Sequence, residues 1–184
     1  METELVSLRE EVVVLREENG TITITEPGKI HAIRLETDCP LTWKWRVYVP
    51  EGRKVVFRHQ AFEIPKDAFC GKVGMVPLSG PAEVVVVARI EKCNSKYYNW
   101  RSVVSVNGGS CYNYIPPESS QWLETGTAGF SHTGVGRSVA VEKDEGPFLL
   151  HRRRNHSPGA AYDINELEDG LIVWISNAIP ELEH

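Results

Sequence analysis

The chain has 184 residues, 41% of them hydrophobic and 24% charged, which suits one folded domain with a sizeable core and argues against disorder. Its formal charge of -5 excludes a global positive field that would gather nucleic acid or anionic lipid, so any basic contact surface has to be local. No stretch reaches the roughly 20 consecutive apolar residues that cross a bilayer as a helix, and no signal-peptide pattern opens the sequence.

In chain order, the first segment is helical. Leu5, Leu8, Val12, Leu15 and Asn19 alternate spacings of three and four, the a and d positions of a heptad. Glu4, Glu11 and Glu18 then occupy g sites, and Arg9 and Arg16 occupy e sites. In a parallel pair Glu4 faces the partner's Arg9, and Glu11 the partner's Arg16. Asn19 is a polar a residue of the kind that selects one register, and Gly20 ends the helix as a C′ glycine. Val6, Val13 and Val14 widen the apolar stripe and suit docking onto the domain instead. Two heptads are marginal for a free coiled coil. Self-association and intramolecular docking both remain open at this point.

After Gly20 the period becomes two. Thr21-Ile22-Thr23-Ile24-Thr25 reads as a strand, Pro27-Gly28 as a turn, and Ile30–Leu35 as the next strand. Thr42–Val49 is the clearest strand, with Trp43, Trp45, Val47 and Val49 on the core face and Lys44, Arg46 and Tyr48 opposite. Pro50-Glu51-Gly52 turns into Val55–His59. Phe62–Leu78 is irregular, broken by Pro65, Gly71, Gly74 and Pro77. Glu83–Ile90 is apolar enough to predict a central strand buried on both faces. Trp100–Val106 alternates, Asn107-Gly108-Gly109 predicts a tight turn, and Cys111–Ile115 returns as the hairpin partner.

Gly126–Gly136 reads as a flexible glycine-rich connection. It is not a phosphate loop, because no lysine is placed for that role and a strand rather than a helix follows. Ser138–Glu142 and Phe148–Arg153 predict two short strands joined by a turn at Asp144-Glu145-Gly146, Asn155–Asp169 a loop or short helical turn, and Leu171–Ile175 a last apolar strand. The total is roughly eight to ten short strands with turn punctuation about every ten residues and no helical segment between them, which predicts an antiparallel β-sandwich. The expected organisation is a helical stalk over residues 1–20, a sandwich over 21–178 and a tail over 179–184. That tail ends in Leu182-Glu183-His184, the residues with which a vector-encoded histidine tag begins.

No motif carries chemistry. Cys39, Cys70, Cys93 and Cys111 form no C-x-x-C pair; Cys93 and Cys111 flank the predicted hairpin and would be a disulfide candidate in an exported domain. His31, His59, His132, His151 and His156 lack metal-ligand spacing, and no nucleophile elbow is present. His151-Arg152-Arg153-Arg154-Asn155-His156 is a basic run that strand geometry splits over two faces, so a solvated strand end is the expectation. No residue is assigned a catalytic, metal or cofactor role. The candidate ligand surface is aromatic: Tyr48 on one strand, and Tyr97, Tyr98, Trp100, Tyr112 and Tyr114 around the hairpin.

The segment Leu41-Thr42-Trp43-Lys44-Trp45-Arg46-Val47-Tyr48-Val49-Pro50-Glu51-Gly52, set after helical heptads, resembles a group of uncharacterised bacterial single-pass membrane proteins. They carry a membrane helix, a juxtamembrane coiled coil and a β-rich domain in which a W-x-W-R segment ends in Pro-x-Gly. The resemblance is specific over the first third of the chain, with fainter echoes at Gly80 and Trp100-Arg101. It implies a membrane anchor preceding Met1 and an extracytoplasmic β domain. No functional residues follow from it, and the sequence itself contains no such anchor. The expected function is a non-catalytic binding or assembly module on a membrane-anchored stalk. The alternative is a carbohydrate-binding or carbohydrate-active sandwich using the hairpin aromatics.

Overall fold

The computed structural model describes residues 5–8, 11–12, 15, 19–62, 74–125, 130–134, 139–141, 148–154 and 170–177. Eleven strands occur in it: β1 (Ile30–Leu35), β2 (Thr42–Val49), β3 (Lys54–Gln60), β4 (Gly74–Ser79), β5 (Ala82–Lys92), β6 (Trp100–Val106), β7 (Gly109–Ile115), β8 (Phe130–Gly134), β9 (Val139–Val141), β10 (Phe148–Arg154) and β11 (Gly170–Asn177). They form a six-stranded sheet, β7-β6-β5-β2-β1-β9, and a five-stranded sheet, β4-β3-β11-β10-β8. All neighbours pair antiparallel. The protein is mainly β, in the sandwich arrangement that its alternating strands imply.

The core lies between the sheets. Trp43, Trp45, Val47 and Val49 of β2 are all buried, while Lys44 is exposed and Arg46 and Tyr48 are half-buried, as the period of two requires. Opposite them, β3 contributes Val55 and Phe57, and β11 contributes Leu171, Val173 and Ile175. Trp45 is fully enclosed, and its indole N–H has no hydrogen-bond partner among the described residues. Leaving that donor unpaired costs about 1–3 kcal/mol, which burial of the ring has to offset.

The chain crosses between sheets twice at one end, at the β2–β3 turn and the β4–β5 turn, and the two turns touch. The Gly80 N–H donates to the Arg53 carbonyl at 2.8 Å. A β-carbon on Gly80 would fall inside the Pro50 carbonyl, so only glycine allows this approach.

Five expectations are corrected. Residues 21–25 form no strand; Ile22 among them is buried, and the segment is held at both ends on the outer face of β1. Gly20 packs on Leu35 and the Glu26 carbonyl bonds the His31 ring, which explains why the outward-facing His31 and Ile33 are only 1% and 2% exposed. Covering that face leaves the segment's own backbone outside the ladder. β5 is not buried on both faces. Val84, Val86, Ala88 and Ile90 are inside, but Val85 is 43% exposed, on a face that no second sheet among the described residues covers. The irregular stretch before Leu78 contains β4, which pairs along β3 despite Pro77 because β4 is an edge strand. The glycine-rich connection contains β8, an edge strand laddered to β10. Finally, a helix α1 (Pro117–Thr125) follows β7, with proline at its first position and Glu118 in its first turn.

At the N-terminus, residues 5–8, 11, 12 and 15 are helical. Asn19 closes the end, its N–H and its Nδ2 both donating to the Leu15 carbonyl, and Gly20 follows at φ 67°, the left-handed C′ conformation. No helix among the described residues is long and apolar enough to cross a membrane. Val13, Val14, Cys70, Asp144–Gly146, Asn155–Asp169 and the tail over 179–184 lie outside the described residues.

Candidate functional site

The hairpin of β6 and β7 builds the most distinctive surface. Val106 pairs with Gly109, so the loop holds two residues, Asn107 and Gly108, at φ 46° and 82°. This is the left-handed pair that a type I′ turn needs, and it locks the register. Arg101 then stands opposite Tyr114, and Val103 opposite Tyr112. On the other side of β6, Arg101 faces Glu91 and Val103 faces Arg89. Alternation turns these residues outward together.

Their geometry is tightly coupled. Arg101 binds Glu91 through Nε at 2.8 Å and through its terminal nitrogen at 2.6 Å, and Arg89 Nε reaches the other Glu91 oxygen at 2.6 Å. Partial burial pushes the Glu91 carboxyl up, but hydrogen bonds from Arg101 and Arg89 outweigh it and hold the group below its ordinary range. Glu91 in turn raises the affinity of Arg101 for its proton. The held guanidinium lies 5.7 Å from the centre of the Tyr112 ring. Tyr98 and Tyr114 stack at 4.9 Å with 14° between planes, and Tyr112 meets Tyr114 edge-on at 5.3 Å. The loop carrying Tyr97 and Tyr98 is fastened by Cys93, whose N–H donates to the Asn99 carbonyl and whose thiol donates to the Tyr98 carbonyl. Lys96 lies 5.3 Å over the Tyr97 ring.

Of the six candidate aromatics, three converge here, Tyr98, Tyr112 and Tyr114, and Tyr97 is the chain neighbour of Tyr98 in the same loop. Tyr97 is 68% exposed, Tyr112 53% and Tyr114 37%. Trp100 does not join them. It is 7% exposed and faces the core, because its position in β6 has the parity of Ser102 and Val104. Tyr48 is elsewhere, paired with Glu83 at the far end of β5, roughly 26 Å from Glu91 at about 3.3 Å per residue. Its hydroxyl donates to the Pro27 carbonyl and its ring sits beside His31, so it secures the residue 20–29 connector. Sequence reading missed Glu91, Arg89 and Arg101. The turn fixes which residues of β6 and β7 oppose one another, so Arg101 beside Tyr114 was there to be read.

The inner side of β7 holds a thiol and an imidazole. Cys111 Sγ lies 3.5 Å from His59 Nδ1, and Asn113 Nδ2 donates to the His59 carbonyl at 3.2 Å. Burial pushes the Cys111 thiol up to about 11, so it is protonated at neutral pH and joins the sheets as a polar contact rather than acting as a nucleophile. Cys39, Cys93 and Cys111 are free thiols, so the Cys93–Cys111 bridge is not formed. Cys39 is exposed in the turn before β2, where hydrogen bonds from the Thr42 side chain and the Leu41 backbone lower its pKa. Among the described residues no three His, Cys, Asp or Glu side chains converge as a metal site.

The helix presents a second surface. Leu5, Leu8, Val12 and Leu15 are 56%, 57%, 46% and 49% exposed. Asn19 donates from Nδ2 to the Leu15 carbonyl of its own helix.

Comparison of the chain with protein-family models, with curated proteins and with solved structures finds no match in any of the three.

Proposed function

We propose that the protein is a non-catalytic assembly and binding module, in which the N-terminal helix joins copies of the chain in parallel and the β-sandwich is the displayed binding part. One observation carries this reading: the heptad stripe Leu5, Leu8, Val12 and Leu15 stays about half exposed beside a fully formed sandwich. Docking onto the domain would have covered it.

Charge favours a second copy of the chain, in parallel orientation. With Glu at g and Arg at e, parallel helices place Glu4 against Arg9 and Glu11 against Arg16 of the second copy. Antiparallel helices would oppose Glu to Glu and Arg to Arg. Covering the exposed half of each stripe residue is worth about 1 kcal/mol, so eight side chains in a pair contribute about 8 kcal/mol. The cost of association is about 4–15 kcal/mol. Free in solution the pair is therefore weak. A membrane anchor of the kind the resemblance implies, ahead of the helix, would strengthen it by confining copies to two dimensions.

Sedimentation equilibrium of the chain with and without residues 1–19 tests this. The expected result is a mass that rises with concentration toward twice that of the monomer, and a fixed monomer after truncation. A monomer in both cases would sink the proposal. The carbohydrate alternative draws less support: Trp100 is buried, and Tyr98 and Tyr114 each spend a ring face on the other.

A further inference from the structure

We propose that the outer face of β5, β6 and β7 docks an acidic polypeptide segment of another protein. The inference rests on the reading of the sandwich as a displayed binding part, and names what it binds.

Three observations lead there. First, the patch is aromatic and exposed: Tyr112 meets Tyr114 on β7, Tyr98 stacks on Tyr114, and Tyr97, next to Tyr98 in the chain, is the most exposed of the tyrosines named here. Tyrosine and arginine are the residue types over-represented where proteins bind proteins, because they bring large contact area with few rotatable bonds. Second, the patch is already ordered. Glu91 fixes Arg101, Arg101 lies on Tyr112, and Tyr98 stacks on Tyr114. Little side-chain entropy is left to lose when a partner arrives. Third, the local charge is opposite to that of the molecule. Arg89, Arg101 and Lys96 outnumber Glu91 by two in a chain of net charge -5, while Glu83 is at the far end of β5 and occupied by Arg46 at 3.1 Å. A positive island on a negative protein favours an anionic partner and steers its approach.

The same geometry chooses polypeptide over sugar. An oligosaccharide platform needs neighbouring ring faces open to the sugar. Here one face of Tyr98 and of Tyr114 is taken by the other ring, one face of Tyr112 by Arg101 and one face of Tyr97 by Lys96. Each ring therefore offers one face at most, and beside these faces lie the tyrosine hydroxyls and the Arg101 guanidinium, which suit carboxylates and peptide groups. Tyr112 and Tyr114 also lie on β7, the edge strand of its sheet, alongside which an extended segment can be laid.

The test uses the full chain and fluorescence anisotropy of a fluorescein-labelled oligoglutamate peptide, with a heparin oligosaccharide and cellohexaose as competitors. The peptide is expected to bind, more weakly as salt rises. Tyr112→Ala and Arg101→Gln should each lower the affinity about tenfold. Tyr97→Ala should also weaken it, and at 68% exposure this ring can be removed without unfolding the protein. Lys54→Ala, in β3 of the other sheet, should leave binding unchanged. No peptide binding overturns the proposal, and so does binding indifferent to both Tyr112→Ala and Tyr97→Ala. Displacement by heparin or cellohexaose at lower concentration than by unlabelled peptide would make the patch a glycan surface and overturn it equally. Sedimentation reads the helix and anisotropy reads the hairpin, so the two proposals fail separately.

Discussion

Glu91 shows how one side chain organises a surface. Both of its oxygens are taken by arginines that come from different positions along the sheet, and the more distant one, Arg101, is thereby held over Tyr112. The group stays partly solvated, so its contribution is screened and modest. Glu91→Gln should destabilise the fold by about 0.5 kcal/mol at neutral pH. Its folded-state pKa lies below the ordinary 4.5, so the stabilisation is present in full above that value and is lost as pH falls through the lower one. Urea unfolding of wild type and variant should differ at pH 7, and the difference should shrink as pH falls below 4.5. A gap that persists undiminished in acid would mean that the Glu91 charge contributes nothing. At this scale the sequence was informative about parity but not about partners. Trp43 and Trp45 were readable as core from their alternation with Lys44 and Arg46. Trp100 was not, because a tyrosine-rich neighbourhood drew it into the surface group although its own strand turned it inward.

At the scale of elements, the two-residue turn of the β6–β7 hairpin determines more than any other local feature. Asn107 and Gly108 both take left-handed φ, and Asn tolerates that conformation while Gly adopts it freely. Gly108 has open space around it, so a methyl group there meets no neighbour and only the backbone conformation is penalised. Gly108→Ala should therefore cost about 1–2 kcal/mol in urea denaturation. It should leave the core intact but loosen the Arg101–Tyr114 register, measurable as faster amide exchange along β7. An unchanged stability would show that the turn is not of this type. This hairpin was legible because its turn chemistry is explicit. The strands that escaped notice lack such chemistry. β4 and β8 are edge strands, one interrupted by Pro77 and the other set among glycines, and both are strands because a neighbour supplies the ladder. The opposite error, at residues 21–25, has the same root. An alternating Thr-Ile pattern fits a strand, but this segment finds no ladder and is held on the outer face of β1 instead. Periodicity reports which side chains want burial, and pairing is decided by what the rest of the chain brings alongside.

For the whole molecule, the sandwich closes its own core, while the helix keeps an apolar stripe that its own domain does not cover. The charges flanking that stripe offer a sharper test than truncation does. Changing Arg9 and Arg16 to Glu leaves every g and e site acidic, and changing Glu4 and Glu11 to Arg in a second variant leaves Arg9 and Arg16 facing arginine. Each g–e contact turned from attraction to repulsion is worth about 1 kcal/mol, and a parallel pair has four of them. Each variant alone should then associate roughly a thousandfold more weakly than wild type. Mixed together, the two restore every opposite-charge contact and should pair at least as well as wild type, which sedimentation of the mixture would detect as a dimer absent from either solution alone. If both variants instead associate as wild type does, the contact lies outside this helix. If the mixture stays monomeric while wild type pairs, the helices meet through some arrangement other than the heptad register. Neither substitution touches the sandwich, so binding at the hairpin face, where it is measured per chain, should be the same in the wild type, in both variants and in the mixture.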